Sequence, residues 1–171
     1  MKVYIVRHGK AEKESPSLRD DDRILTARGV EQARFLGDQL CRAGLRPSLI
    51  LSSSVTRALE TARIIHSFVN CRFETADALR VDEPVSGVVD LLTRQAFPAK
   101  GKALDCLALV GHNPQVSELC EVLVNGIGAA QFLFRTGEAM LLEVNRTSLI
   151  GSGRLIAQNR LEEECGANRS A

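Results

Sequence analysis

The chain has 171 residues, 44% of them hydrophobic, with 22 lysines and arginines against 21 aspartates and glutamates for a formal net charge of +1. That balance describes one domain with a sizeable core, and with one tyrosine and no tryptophan it argues against a basic or aromatic nucleic-acid surface. Five cysteines, odd in number and never spaced C-x-x-C, exclude a disulfide framework or a zinc cluster as the organising device.

Lys2 to Val6 is a continuous apolar run rich in β-branched residues, the composition of a strand buried on both faces. It is too short for a signal-peptide core or a membrane span, which predicts a cytoplasmic protein with no membrane partner. Gly9 to about Leu25 is polar, and its acidic run Asp20-Asp21-Asp22 reads as a solvated loop. Thr26 is the expected cap of a helix carrying Val30, Ala33, Phe35, Leu36, Leu40 and Cys41 and stopping at Ala43-Gly44. Leu49 to Leu51 reads as a short strand, followed by an amphipathic helix with Val55, Ala58, Leu59, Ala62, Ile65 and Phe68 on one face and Ser54 as its cap. His66, on that helix, reads as a packing residue. A strand is expected over Arg72 to Thr75, a helix from Val85 to Phe97 closed by Pro98, and an apolar strand from Cys106 to Val110. Gly111-His112-Asn113-Pro114 then opens a helix from Gln115 to Val124, with Asn113 as cap and Pro114 in the first turn. Ala139 to Val144 and Arg154 to Ala157, separated by Gly151 and Gly153, predict a terminal hairpin. Residues 1–160 form a single domain in this reading, and 161–171 a frayed tail.

Strands alternating with helices predict an α/β fold, a mostly parallel sheet covered on both faces. Ligands of such sheets bind beyond the carboxyl ends of the strands. Three strand-to-helix junctions deliver Arg7-His8, Ser52 to Arg57, and His112-Asn113 to that edge. Arginine forks and helix N-termini suit a phosphoryl group. A histidine beside positive charge stays neutral and keeps a lone pair for phosphorus, a role that suits His8, while Gly9 is expected to leave room for the phosphate. Taken singly, each histidine reads equally as a packing residue. A metal site on His8 and His112 is disfavoured, because the neighbouring arginines would repel a cation.

The blocks VRHGK, LTARGVEQA, SSSVTRALETA and LVGHNPQVSEL resemble, in order and register, the histidine phosphatase superfamily that includes the phosphoglycerate mutases. The short length and the G-H-N-P form of the second histidine motif are most similar to its small, SixA-type phosphohistidine phosphatases. The likeness covers roughly residues 1–160 and implies a three-layer α/β/α sandwich of phosphoglycerate mutase type. It implies that His8 is the phospho-accepting nucleophile, that Arg7 and Arg57 bind phosphate oxygens, and that His112 donates to the phosphoryl group. Arg23, in Arg23-Ile24-Leu25-Thr26, resembles the R-x-L-T lead into the first helix and becomes a further phosphate contact, as does Asn113. Two displacements follow, onto His8 and then onto water, with no metal or other cofactor.

Relatives that cleave oxygen esters use a carboxylic acid as proton donor, often on an insertion for which little chain remains here. Asp82 and Glu83 are the candidates for that donor, and read equally as exposed loop carboxylates. The leading expectation is a phosphohistidine phosphatase acting on a signalling or carrier protein, such as a histidine phosphotransfer domain. A phosphatase of small phosphomonoesters and a non-catalytic phosphate-binding module are the alternatives.

Overall fold

The computed structural model describes residues 1–98, 102–126 and 132–162. In chain order the elements are β1 (Lys2–Arg7), α1 (Ala27–Arg42), β2 (Leu49–Ser52), α2 (Thr56–Val69), β3 (Arg72–Thr75), α3 (Val85–Ala96), β4 (Cys106–Gly111), α4 (Gln115–Asn125), β5 (Glu138–Glu143) and β6 (Arg154–Arg160). Single 3₁₀ turns lie at Asp20–Asp22 and Asp77–Leu79.

Side chains alternate across a strand, and the two faces of each central strand are apolar for different partners. Val3, Ile5, Leu49, Leu51, Leu107 and Leu109 face one way and pack with Val88 and Leu92 of α3 and Leu119 and Leu123 of α4. Tyr4, Val6, Ile50, Ala108 and Val110 face the other way, against Leu36 and Leu40 of α1 and Ala62 and Ile65 of α2. Each of these buried Leu, Ile or Val side chains contributes about 1.5–3 kcal/mol by leaving water. The result is three layers, with the strands ordered β3-β2-β4-β1-β5-β6. β1 to β4 run parallel, while β5 pairs antiparallel with β1, and β6 with β5. The α/β sandwich and its C-terminal hairpin agree with the expectation, and β6 continues to Arg160.

Local details divide. Thr26 caps α1 as expected, its hydroxyl accepting from Gly29 N at 3.1 Å, and Gly44 takes a left-handed φ of 64° just beyond the helix. Ser54 does not cap α2. Val55 occupies that position, and the Ser54 hydroxyl accepts from Arg80 Nη1 at 2.9 Å instead. Asn113 does not cap α4 either, because its side chain is drawn to a distant carbonyl, and Pro114 takes the cap position. His66 is a packing residue, its Nε2 lying 2.7 Å from Cys71 O. Among the described residues no helix is long and apolar enough to cross a membrane. Cys165 and all of the expected tail beyond residue 162 lie outside the described residues.

Candidate active site

Strand register assembles the site. Arg7 of β1 pairs with Gly111 of β4, and Ser52 of β2 with Val110, so the residues that follow, His8, His112 and Ser53, emerge together at one sheet edge. Backbone bonds hold them there: His8 N donates to Gly111 O at 3.1 Å and Ser53 N to Val110 O at 2.9 Å.

His8 is 8% exposed and His112 2%, with their ring centroids 5.0 Å apart. His8 Nδ1 lies 2.7 Å from Gly9 O. A carbonyl only accepts, so Nδ1 carries the proton and Nε2 the lone pair. The His8 imidazole is lowered to about 4, by burial first and then by Arg57, Arg7 and Arg23, against the opposing Gly9 hydrogen bond. His112 is lowered to about 3, by burial first and then by His8 and Arg57. Both rings are therefore neutral near pH 7. Guanidinium charge was the expected cause of that neutrality, but desolvation leads it. His112 Nε2 stands 2.9 Å from Ser53 Oγ, and its Nδ1 is buried with no partner among the described residues.

Arg57 lies in the first turn of α2 and is 4% exposed. Its Nη1 donates to Asp20 O at 2.9 Å and its Nη2 lies 3.0 Å from Asp20 Oδ2, while Nε is buried without a partner. Asp20 Oδ1 also accepts from Arg23, Nε at 2.8 Å and Nη2 at 2.7 Å. Partial burial opposes ionisation of Asp20, yet Arg57 and Arg23 hold its carboxyl below the ordinary range. Arg7 Nη1 donates to Phe134 O at 2.8 Å, and its Nε, like that of Arg57, is buried and unpartnered. Guanidinium groups and neutral imidazoles at one buried sheet edge are chemically suited to a tetrahedral oxyanion.

Residues 3–100 match the family model described as histidine phosphatase superfamily (branch 1). The chain belongs to that superfamily. This histidine phosphatase superfamily member is 32% identical over 84 residues to the mitochondrial serine/threonine-protein phosphatase PGAM5 of Xenopus tropicalis, a match covering 48% of this chain and only 30% of that relative. It is 28% identical over 127 residues, 74% of each chain, to an uncharacterized protein of Picosynechococcus sp.. Among solved structures it resembles the protein histidine phosphatase SixA complexed with tungstate, at a TM-score of 0.81 and 22% identity over 94% of this chain and 97% of that one. It also resembles the Agrobacterium tumefaciens protein assigned as the phosphohistidine phosphatase SixA, at a TM-score of 0.75 and 26% identity over the same shares.

The edge of this superfamily fold brings together His8, His112, Arg7, Arg57 and Arg23. Three expectations change. The Cβ of any residue at position 9 would meet Gly29 O at 2.6 Å, so it is the first turn of α1, rather than a phosphate, that requires glycine there. Gly9 N is also already committed, donating to Thr61 Oγ1 at 3.0 Å. The Asn113 side chain donates to Phe134 O at 2.9 Å and accepts from Ser117 Oγ at 3.0 Å, so it braces the loop that holds Arg7, with one amide hydrogen left over. The acidic run is at least partly exposed, as expected, but it is also engaged: Asp20 bridges two arginines, and Asp21 accepts from Arg80 at 2.7 Å. The Asp20 to Arg23 spacing was its signal, since residues three apart meet within a helical turn. Ser53 and Thr61 were missed as well, although both lie in the quoted SSSVTRALETA block; Thr61 Oγ1 donates to Arg57 O at 2.7 Å, tying that helix turn to the end of β1. Asp82 and Glu83 are exposed and border a cavity of about 300 Å³ that His112 and Gln115 also line. Among the described residues no group of three or more His, Cys, Asp or Glu side chains is arranged to hold a metal ion.

Proposed function

We propose that this protein is a phosphohistidine phosphatase that removes a phosphoryl group from a histidine of a signalling or carrier protein. The observation that carries the reading is the His8 imidazole, neutral, with Nδ1–H spent on Gly9 O and the Nε2 lone pair free, set against His112 and among Arg7, Arg57 and Arg23. Nε2 attacks phosphorus, the bond to the substrate nitrogen breaks, and that nitrogen keeps the electron pair, leaving as a neutral imidazole whose proton sits on its other ring nitrogen. Water then attacks the phospho-His8, the N–P bond breaks, and the lone pair returns to Nε2. Arg7, Arg57, Arg23 and His112 neutralise the phosphoryl oxygens throughout. A nitrogen leaving group needs little acid catalysis, which suits a site where the Asp20 carboxylate is spent on Arg57 and Arg23 and Asp82 and Glu83 are exposed. The SixA-type likeness supports the substrate class, and the likeness to PGAM5, a serine/threonine-protein phosphatase, supports a protein substrate.

A second reading, hydrolysis of small phosphomonoesters with Glu83 or Asp82 as acid, is favoured by the cavity those residues share with His112. The test is turnover of a phosphohistidine protein against sugar and nucleotide phosphates, with and without chelator, together with trapping of an alkali-stable, acid-labile radiolabel on the protein. Turnover of the phosphohistidine protein, labelling lost in His8→Ala and indifference to chelator are expected. Activity on small esters alone sinks the leading reading, and labelling of His8→Ala equal to wild type sinks the nucleophile.

A further inference from the structure

His112 must present a hydrogen, not a lone pair, to a phosphoryl oxygen, because phosphoryl oxygens only accept. A neutral imidazole has a single N–H, so the nitrogen that carries it decides whether His112 attracts or repels the substrate. This inference rests on the phosphoryl-transfer reading above.

The buried hydrogen bonds around Ser53 answer which nitrogen it is. Ser53 is fully buried, and its Oγ accepts from Val55 N at 3.2 Å and lies 2.9 Å from His112 Nε2. Among the described residues no other group meets that hydroxyl. Were Nε2 protonated, Ser53 Oγ would accept twice, its own hydrogen would have no acceptor among the described residues, and Nδ1 would be left as a buried, unpaired lone pair. With the hydroxyl donating to Nε2, Ser53 is satisfied on both sides, and the one group left over is an N–H on Nδ1, buried and unpartnered. Buried donors are seldom left unpaired, and a phosphoryl oxygen is the partner this one lacks.

We propose that Ser53 is a positioning residue that holds His112 as its Nδ1–H tautomer, making that ring an obligate hydrogen-bond donor to the phosphoryl group. The two histidines then share a tautomer but offer opposite ends of it. His8 hides Nδ1–H on Gly9 O and presents a lone pair, whereas His112 hides its lone pair on Ser53 and presents Nδ1–H. The first strand-end residue attacks and the second binds, although both are neutral imidazoles.

The test uses ¹⁵N-labelled full-length protein near pH 7.5, with two-bond proton–nitrogen correlations of the His112 ring assigned by their loss in His112→Gln. Wild type is expected to show protonated Nδ1 and bare Nε2, with the Nδ1–H signal moving on addition of inorganic phosphate. In Ser53→Ala the tautomer preference is lost, phosphate binds on the order of tenfold more weakly and kcat/KM falls by a similar factor, short of the ~10²–10³ loss seen when such a donor is removed outright. Ser53→Thr, which keeps the hydroxyl, restores the Nδ1–H pattern and most of the binding. A wild-type His112 protonated on Nε2 overturns the proposal, as does a folded Ser53→Ala with unchanged tautomer and phosphate affinity. Should Ser53→Ala fail to fold, the wild-type and Ser53→Thr spectra still decide. The spectra are read on substrate-free protein, so an error in the proposed substrate leaves them unchanged and shows itself in the turnover assay.

Discussion

Gly9→Ala separates two reasons for a glycine beside the nucleophile. An ideal Cβ at position 9 falls 2.6 Å from Gly29 O and 3.0 Å from Gly29 Cα. Reaching ordinary contact at 3.4 Å requires 3.4 − 2.6 = 0.8 Å of movement between two pieces of backbone, with no flexible side chain to give way. Neither piece is free to move: Gly9 N is tied to Thr61 Oγ1, Lys10 N donates to Gln32 Oε1 at 2.9 Å, and Thr26 N donates to Lys10 O at 2.9 Å. Overpacking of this kind costs about 1–3 kcal/mol. Because the displaced peptide also carries the acceptor for His8 Nδ1, the nucleophile shifts with it, and a displacement approaching 1 Å costs on the order of 10- to 100-fold in rate. Urea unfolding should therefore show a loss of about 1–3 kcal/mol, and phosphoryl labelling of His8 should slow by one to two orders of magnitude. A variant with the stability of wild type that merely binds inorganic phosphate more weakly would refute the packing account and restore phosphate clearance as the reason for the glycine.

The two buried histidines set a pH dependence. Their folded values of about 4 and about 3 lie below the ordinary 6.5, so as pH falls through about 6.5 the unfolded chain takes up protons first; stability is whole above that point and is lost progressively toward pH 4. The urea midpoint should drop between about pH 7 and pH 4.5, and drop less in His8→Gln, while His8 labelling shows no inflection near pH 6.5. Arg57→Lys replaces a fork that grips both the carbonyl and the carboxylate of Asp20 with a point charge, and inorganic phosphate should bind at least about tenfold more weakly, on the scale of a lost charge-assisted hydrogen bond, measured by calorimetry. Thr26→Ala removes the hydroxyl that caps α1 at Gly29 N and should cost about 1 kcal/mol in urea unfolding without altering phosphate affinity.

What was legible in the sequence is what neighbouring residues decide among themselves. The unbroken apolar runs of β1 and β4 could only be central strands, because both of their faces need cover, and the Arg-His and Gly-His pairs that follow them had to emerge where those strands end. The tertiary structure alone decided the contacts between segments far apart in the chain. Asp20 reaches Arg57 across 37 residues, the Phe134 carbonyl takes both Arg7 and Asn113, and the first turn of α1 fills the space beside Gly9. Periodicity reports that a face is buried, and against no particular partner; which carbonyl a buried guanidinium or amide must satisfy is settled only when the layers close and water leaves.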